Sequence, residues 1–247
     1  MHSCPICKSN APLYDVVDFH RTTEDAYGKP LELTCMGVPV YYAKCVNCDF
    51  CFAPELIAQS MEWFKENIYN DGYLAVDPHY ESERPQAYVN VVRNLFPAFS
   101  PNLTHLDYGG GNGYLAKHTG WNSKSYDVLI DAELPENKFN FITAFEVFEH
   151  VSDPHKIMQD LHHLLSKKGV IIFSTSLSDG HIVEKKRLDW WYVAPRNGHI
   201  SLFSRNSLFW LAKAYGFNMA SFQHSPDSLH MFYTEAPSWA QHLVPRS

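Results

Sequence analysis

The sequence predicts a doubly wound α/β domain with a mostly parallel sheet and a C-terminal antiparallel pair of strands, preceded by a small zinc ribbon. Three observations predict this fold: strands and helices alternate after Pro101, a glycine-rich turn follows the first of these strands, and two Cys-x-x-Cys pairs lie near the N-terminus. We expect a zinc-ribbon module at 1–54, a helical connector at 55–100, the α/β domain at 101–235 and a tail at 236–247.

Composition and charge exclude several classes of protein. The chain has 247 residues, enough for one or two domains, and its 45% hydrophobic content excludes wholesale disorder. The formal net charge of −7 provides no basic surface for phosphate backbones, so we expect no nucleic-acid partner. No apolar run approaches the roughly 20 residues of a membrane helix, and the N-terminus lacks a secretory pattern. We expect a cytoplasmic protein with no membrane partner.

The two Cys-x-x-Cys pairs predict a metal site. Cys4 and Cys7 form the first pair, and Cys45 and Cys48 form the second. Two such pairs supply four thiolates for a tetrahedral Zn²⁺, which leaves no open coordination position and therefore indicates a structural site. The alternative is a set of redox or incidental pairs, but the βαβ context of a redox motif is absent from the pattern.

The residues between the two pairs predict an inserted hairpin. Residues 13–42 alternate apolar and polar side chains and contain the turn formers Gly28, Pro30, Gly37 and Pro39. The remaining cysteines, Cys35 and Cys51, are interpreted as buried apolar thiols.

Two amphipathic stretches with a turn-rich segment between them form the connector. Pro54 opens a helical stripe that continues to Ile68, and Pro85 opens another that continues to Leu95. The intervening segment contains several tyrosines, and loops dense in such side chains often line a site. Tyr73 is therefore a candidate catalytic residue.

The glycine-rich turn predicts a ligand site. The strand Thr104–Tyr108 runs directly into Gly109-Gly-Gly-Asn-Gly113, after which a helix begins. Glycines let a ligand approach the backbone, and a helix N-terminus offers free N–H groups to a negative group. The loop also satisfies the dinucleotide pattern Gly-x-Gly-x-x-Ala through Ala116, with Asp127 near the position of a ribose-binding acid. The loop alone therefore does not decide between a dinucleotide and another cofactor.

The remaining elements alternate in the same way. The strand from Phe139 to Glu146 is followed by Glu149, His150 and the helix start Ser152-Asp-Pro154, and we expect Gly169 to end that helix. The later elements are a strand at Val170–Ser174, a helix from Ser204 to Gly216, and an extended pair at Phe217–Gln223 and Leu229–Thr234.

Three segments resemble the class I S-adenosylmethionine-dependent methyltransferases. Leu106-Asp-Tyr-Gly-Gly-Gly-Asn-Gly113 resembles their acidic-x-Gly-x-Gly-x-Gly loop, and Phe139–Val151 resembles their FDxIxxxEVxEHV segment. His199–Ser204, with the helix and turn after it, resembles their late HxxxFS…L…GF segment. The resemblance covers about 102–234. The leading cysteine pairs and the tyrosine-rich connector are similar to a subgroup that includes sugar C-methyltransferases.

The resemblance implies a Rossmann-like methyltransferase sheet and S-adenosylmethionine as cofactor. When the family's site residues are carried over by position, the residues around the methionine part of the cofactor are Asp107, Gly109, Gly111 and Gly113. Asp127 then binds the ribose hydroxyls, and Asp131 or Ala132 lies near adenine. The chain departs from the family between Asp127 and Phe139, which is too short a stretch for the usual helix and third strand.

Methyl transfer from a sulfonium requires alignment and, for a protonated nucleophile, a base. A base with a pKa near neutral is favoured, which points to His150, just after a strand, and His199, in the loop before the late helix. Glu146 is a candidate to orient the cofactor. The alternative is that its carboxylate is solvated and has no role in the site. Sugar C-methyltransferases place an acid before the late histidine, whereas Gly198 stands there in this chain.

The sequence therefore predicts an enzyme that transfers a methyl group to a small-molecule acceptor, a carbon or oxygen of a sugar or other metabolite. The alternatives are an NAD(P)-dependent oxidoreductase and a zinc-ribbon binding module whose methyltransferase-like domain is catalytically silent. Leu243-Val-Pro-Arg246 resembles a protease site left from expression, so part of the tail is expected to lie outside the functional protein.

Overall fold

The computed structural model describes residues 1–23, 34–97, 99–184, 186–223 and 228–245. These residues form two compact units. Unit 1 consists of Met1–Pro78, Glu149–His155 and Ser176–Leu211, and unit 2 of His79–Phe148, Lys156–Thr175 and Ala212–Ser247. Unit 1 therefore combines the first 78 residues with two segments from the second half of the chain.

Unit 1 contains the N-terminal cysteine module and a small antiparallel sheet. The module has a two-stranded hairpin, β1 (His2–Ser3) and β2 (Asn10–Ala11). The described strands of the sheet lie in the order β10-β5-β4-β3 and are β3 (Leu13–Asp18), β4 (Pro39–Lys44), β5 (Cys51–Phe52) and β10 (Ser201–Leu202). The pairing of β3 with β4 confirms the inserted hairpin, while Gly28 and Pro30 lie outside the described residues.

Short helices follow in unit 1: α1 (Pro54–Ile57), α2 (Met61–Asn67) and α3 (Tyr73–Val76). The expected single helix from Pro54 to Ile68 is wrong, because the chain leaves the helix after Ile57 and starts again at Ser60. The Ser60 side chain accepts a hydrogen bond from the Trp63 N–H at 3.2 Å, which satisfies a donor at the new N-terminus. Phe64 and Ile68 are buried in the core of this unit, as their stripe predicts.

Unit 2 is built on a mostly parallel sheet whose described strands have the order β11-β12-β9-β8-β6-β7. β6, β7, β8 and β9 run parallel, and β12 is antiparallel to both β9 and β11. The strands are β6 (Thr104–Tyr108), β7 (Asn122–Tyr126), β8 (Phe139–Ala144), β9 (Leu165–Ser174), β11 (Asn218–Gln223) and β12 (Ser228–Tyr233). This arrangement confirms the predicted Rossmann-like sheet with its antiparallel C-terminal pair.

The helix α4 (Glu83–Leu95) precedes the first of these strands. The short α5 (Tyr114–His118) and the longer α6 (Pro154–Leu164) and α7 (Arg205–Ala214) lie between later strands in the chain. The expectation that Gly169 ends a helix is wrong. α6 stops at Leu164 and β9 begins at once, so Gly169 lies inside β9. A side chain there would collide, since an added Cβ would lie 2.9 Å from the Asn140 carbonyl oxygen of β8.

The segment from Asp127 to Lys138 contains turns and no helix or strand, and the structure describes all of it. The expected loss of the third strand is therefore confirmed, and β7 is an edge strand of the described sheet.

The core of unit 2 is aromatic and includes part of the C-terminal tail. Trp239, in the 3-10 helix Ser238–Leu243, packs on Phe96, Phe99 and Phe141 with ring centroids 5.3, 5.5 and 6.1 Å apart. Such pairs add about 0.5–1.5 kcal/mol each beyond the area that they bury. Residues up to Leu243 thus belong to the packed fold, while Arg246 lies outside the described residues.

Among the described residues, we find no helix with the length and apolar character needed to cross a membrane.

Candidate functional site

The glycine loop after β6 has the backbone of a close-approach site. Gly109, Gly111 and Gly113 have φ values of +74°, +51° and +74°, which residues with a Cβ rarely adopt. An added Cβ at Gly109 would lie 2.4 Å from Val147 Cγ2, so that glycine is needed for packing. An added Cβ at Gly111 would meet no atom within 4 Å. The Gly111 backbone therefore borders open space that a ligand can enter.

Asp127, at the end of β7, is hydrogen-bonded to this loop. Its buried carboxylate accepts the Gly111 N–H through Oδ2 at 2.9 Å and the Leu129 N–H through Oδ1 at 2.8 Å. Asp131 supports the same turn, because its Oδ2 accepts the Asp127 N–H at 2.7 Å. Two large apolar side chains of the turn, Val128 and Ile130, are 54% and 67% exposed. A buried carboxylate thus lies beside an exposed apolar surface, a combination suited to a nucleoside.

Asp107 is buried in β6 and has a strongly perturbed carboxyl group. Burial raises its pKa to about 7, with a further increase from the charge of Asp127, against a hydrogen bond that Thr143 Oγ1 donates to Oδ1 at 2.9 Å. His105 Nε2 lies 3.0 Å from the same Thr143 hydroxyl, and burial lowers the pKa of this histidine to about 3. His105 is therefore neutral, and the Thr143 hydroxyl lies between its Nε2 and the Asp107 carboxyl group, to which the hydroxyl donates.

Glu146, two residues beyond the end of β8, is held in a strained conformation. Its φ is +53°, unusual for a residue with a side chain. Oε1 accepts hydrogen bonds from Tyr88 Oη and Ser174 Oγ, each at 2.8 Å, and the Glu146 N–H donates to the same Ser174 oxygen at 2.9 Å. Arg84 Nη1 lies 3.9 Å from Oε2. Such a strained, anchored acid at the carboxyl edge of a parallel sheet is typical of functional positions.

Unit 1 brings the two predicted histidines together. The rings of His150 and His199 have centroids 5.0 Å apart, and His199 is 5% exposed. His199 Nδ1 lies 2.9 Å from the Tyr192 carbonyl oxygen, and His150 Nδ1 lies 3.1 Å from the Gly198 carbonyl oxygen. A carbonyl oxygen only accepts, so Nδ1 is the donor in each of these two contacts.

Gly198 makes this histidine arrangement possible. Its φ is +90°, and an added Cβ would lie 2.7 Å from Tyr69 Oη and 2.9 Å from His150 Nδ1. The acid that sugar C-methyltransferases place before the late histidine therefore does not fit the space between these two side chains. Glycine at this position lets the tyrosine and the imidazole approach each other.

The structure places a different tyrosine beside His150 from the one that the sequence favours. Tyr69 Oη lies 3.1 Å from His150 Nδ1, whereas the buried Tyr73 donates its hydroxyl to the Asn197 carbonyl oxygen at 3.2 Å. The two tyrosine rings are packed edge to face with centroids 5.2 Å apart. The tyrosine-rich connector was the signal for this cluster, but the sequence did not distinguish Tyr69 within it.

The four paired cysteines converge on one point. The Sγ atoms of Cys4, Cys7, Cys45 and Cys48 lie within 4.8 Å of one another, with Cys4–Cys48 at 3.6 Å and Cys7–Cys45 at 3.4 Å. Thiolates bound tetrahedrally to Zn²⁺ at ~2.3 Å lie about 3.8 Å apart, so this set fits the ion. The residue after each Cys-x-x-Cys pair, Lys8 or Asp49, has a φ of +61°. The two pairs therefore end in the same kind of turn.

The unpaired cysteines differ from each other. Cys51 is buried as expected, and burial raises the pKa of its thiol to about 12, which makes it unreactive. The expectation that Cys35 is buried is wrong. Cys35 is exposed, and its thiol donates to Asp18 Oδ2 at 2.9 Å, because the segment before β4 folds around that carboxylate.

Comparison with known proteins identifies one family. A family model described as a methyltransferase domain matches residues 80–221, more than half of the chain. No curated protein matches the sequence.

Several solved structures are similar in fold. An O-methyltransferase family protein from Burkholderia thailandensis has 14% identity and a TM-score of 0.48 over 62% of this chain and 57% of its own, so the chain spans little more than half of that protein. A possible histamine N-methyltransferase from Thermotoga maritima has 15% identity and a TM-score of 0.40 over 61% of this chain and 91% of its own. A SAM-dependent methyltransferase from Aquifex aeolicus has 17% identity and a TM-score of 0.42, over 74% and 98%.

Replacing Gly111 with valine tests the loop as the cofactor site. The valine would face a φ of +51° and fill the open space beside the backbone. We expect Gly111→Val to weaken S-adenosylmethionine binding more than tenfold, about 1.4 kcal/mol, in calorimetric titration. Gly216→Val is the matched control, since Gly216 in the same unit has a φ of +72° and equally open surroundings. Gly216→Val should bind like the parent, and parent-like binding by Gly111→Val would contradict the assignment.

The raised pKa of Asp107 predicts a pH dependence of stability. The folded chain keeps a proton on Asp107 up to about pH 7, whereas the unfolded chain loses it near the ordinary pKa of an aspartate, 3.8. The folded state therefore binds more protons in this window, and stability decreases as pH rises through it. Between pH 5 and 7 we expect the parent to lose stability relative to Asp107→Asn, by up to about 1.4 kcal/mol per pH unit, in urea unfolding. A difference that does not change with pH would show that Asp107 is already ionised.

Proposed function

The chain belongs to the methyltransferase-domain family, and from this membership we propose that it transfers a methyl group from S-adenosylmethionine to a small-molecule acceptor. The observation that carries the proposal is the open backbone at Gly111, joined by a hydrogen bond to the buried Asp127 carboxylate. The NAD(P)-dependent alternative shares the glycine pattern but has no support from the family match.

The cofactor would lie against the glycine loop of unit 2. Each Asp127 oxygen accepts one backbone N–H, and a carboxylate has about four acceptor sites, so it can also accept the ribose hydroxyls. The exposed side chains of Val128 and Ile130 offer an apolar surface to adenine. Asp131 would act by holding the turn, since its carboxylate accepts the Asp127 N–H. Glu146 would orient the cofactor's cationic part through a carboxylate that Tyr88 and Ser174 fix in place.

The chemistry requires alignment and a proton acceptor. When bound, S-adenosylmethionine supplies an electrophilic methyl group on its sulfonium. Alignment of the two reactants contributes about 7–11 kcal/mol in favourable cases. His199 and His150 are the candidate proton acceptors, because a neutral imidazole can take the proton of the acceptor group near neutral pH. We assign His199 as the first candidate base, because it is more deeply buried. Tyr69 would hold the His150 ring, and Tyr73 remains a candidate to contact the substrate.

The N-terminal half supports the proposed class of acceptor. The cysteine module and the tyrosine-rich connector together are similar to the sugar C-methyltransferases, which favours a sugar or another hydroxylated metabolite. Methylation at carbon or at oxygen is compatible with an imidazole base. Gly198 occupies the position at which that subgroup has an additional acid. The free thiols of the chain favour a reducing compartment such as the cytoplasm. A catalytically silent domain beside a zinc-ribbon binding module is the competing proposal.

Replacing His199 tests the proposed activity and its base together. The assay measures S-adenosylhomocysteine formed by the parent with a panel of sugars and other hydroxylated metabolites. We expect His199→Asn to bind S-adenosylmethionine like the parent and to lose about 10²–10⁴ in turnover. His181→Asn is the control, because His181 lies in the same unit, is exposed and stacks on Trp190 with centroids 4.8 Å apart. Unchanged turnover in His199→Asn would remove it as the base, and no turnover by the parent would favour the silent domain.

We propose that Cys4, Cys7, Cys45 and Cys48 hold a structural Zn²⁺. The ion would link the β1–β2 hairpin, which contains Cys4 and Cys7, to the segment that contains Cys45 and Cys48. Four thiolates would leave no open coordination position for catalysis.

The zinc proposal is tested by elemental analysis of a preparation never exposed to chelator. Cys45→Ser should contain one equivalent of zinc less than the parent and should lose protection of the N-terminal module against proteolysis. Cys35→Ser is the matched control, because this exposed thiol lies outside the cluster. Equal zinc in the parent and in Cys45→Ser would contradict the site.

A further inference from the structure

We propose that Glu149, His150 and His199 form a second metal site, which binds a first-row divalent cation such as Zn²⁺ through one carboxylate and two imidazoles. The site is separate from the four cysteines and differs from them in ligand chemistry. The inference rests on the geometry of unit 1 and not on the proposed methyl transfer. It competes with the proposed base role of His150 and His199, because a bound cation would occupy a ring nitrogen of each.

The three side chains already converge. One ligand atom of each lies within 4.8 Å of the others. Nitrogen and oxygen ligands at ~2.1 Å from one ion lie about 3–4 Å apart, so small side-chain rotations would complete the site. Glu149 is fully buried and His199 is 5% exposed, so these are interior groups rather than a chance cluster of surface acids.

The histidine rings are oriented as metal ligands usually are. A metal-bound histidine typically donates its second ring N–H to a carbonyl or carboxylate oxygen, which fixes the ring and directs the other nitrogen to the ion. His199 Nδ1 meets the Tyr192 carbonyl oxygen at 2.9 Å, and His150 Nδ1 meets the Gly198 carbonyl oxygen at 3.1 Å. With Nδ1 donating to a carbonyl oxygen, the other nitrogen of each ring is the proposed ligand atom.

The backbone that carries the ligands is also fixed. The Ile200 N–H donates to the Glu149 carbonyl oxygen at 3.0 Å, which joins the two ligand-bearing segments. The buried Tyr42 hydroxyl donates to the His199 carbonyl oxygen at 2.7 Å. A site built on joined, buried segments loses little freedom when the ion binds.

The ligand set predicts an open site. One carboxylate and two histidines leave coordination positions for water or for an oxygen of a bound molecule, as in hydrolytic zinc sites and non-haem iron sites. The cysteine cluster, with four thiolates, has no such position. The second ion would therefore exchange more readily than the first and bind an oxygen-bearing ligand.

The test is equilibrium dialysis of the full chain against micromolar Zn²⁺, followed by elemental analysis. We expect two equivalents in the parent and one in each of Glu149→Gln and His199→Asn. Cys45→Ser should lose the other equivalent and keep this one. His181→Asn, which removes an exposed histidine of the same unit, should keep both. In a further measurement, the four-cysteine site is first filled with Zn²⁺. Additional Zn²⁺ should then raise the unfolding temperature of the parent but not that of Glu149→Gln.

The outcomes separate this site from the other proposals. If the parent binds one equivalent and Cys45→Ser binds none, the second site is overturned. This result does not depend on whether the Glu149 and His199 variants fold. Two equivalents retained in both Glu149→Gln and His199→Asn also overturn it, because the ion then lies elsewhere. Formation of S-adenosylhomocysteine, measured on the same samples, reports on methyl transfer separately from the metal content.

Discussion

The hydrogen bond from the Gly111 N–H to the Asp127 carboxylate joins the two pieces of backbone from which the candidate cofactor site is made. Its geometry follows from the sheet. β6 and β7 pair in parallel with Tyr108 opposite Tyr126, so both strands end at the same edge. The N–H groups of Gly109 and Gly110 donate to the Tyr126 carbonyl oxygen at 2.7 and 3.2 Å, which turns the loop back over β7. The open face at Gly111 and the exposed apolar turn after Asp127 depend on this closure.

A comparable constraint governs the histidine cluster of unit 1. Glycine at 198, with its φ of +90°, allows Tyr69 and His150 to meet where a side chain would collide. The Gly198 and Tyr192 carbonyl oxygens lie within hydrogen-bond distance of Nδ1 of His150 and His199. The same arrangement provides a lone pair for accepting a proton and a ligand atom for a cation, so the two proposals for this cluster concern one pair of nitrogens. Whether an ion is bound decides which role those nitrogens have.

Local patterns in the sequence predicted the parts of the structure that local chemistry determines. The cysteine pairs, the β3–β4 hairpin and the glycine loop each depend on residue types at short spacing, and the structure contains all three. The break between α1 and α2 was missed, because a continuous apolar stripe does not show that Ser60 caps a new helix. The early start of β9 was missed for a related reason: strand pairing with β8 overrides the helical pattern around Leu165.

Contacts between distant residues could not be predicted. Tyr69 and His150 are 81 positions apart, and Tyr88 and Glu146 are 58 apart, so neither pair forms a sequence motif. The positive φ of Glu146 likewise results from hydrogen bonds to Ser174 on a neighbouring strand rather than from its own residue type. The sequence therefore predicted which segments contain the site residues, while the identity of their partners required the fold.

The central claim is that the glycine loop and Asp127 form a site for S-adenosylmethionine rather than for a dinucleotide. Calorimetric titration of the full chain with S-adenosylmethionine and, separately, with NAD tests it most directly, because both ligands present a ribose to the same carboxylate. The account predicts saturable binding of S-adenosylmethionine at one site per chain and no binding of NAD at the same concentrations. Saturable binding of NAD without binding of S-adenosylmethionine would contradict it.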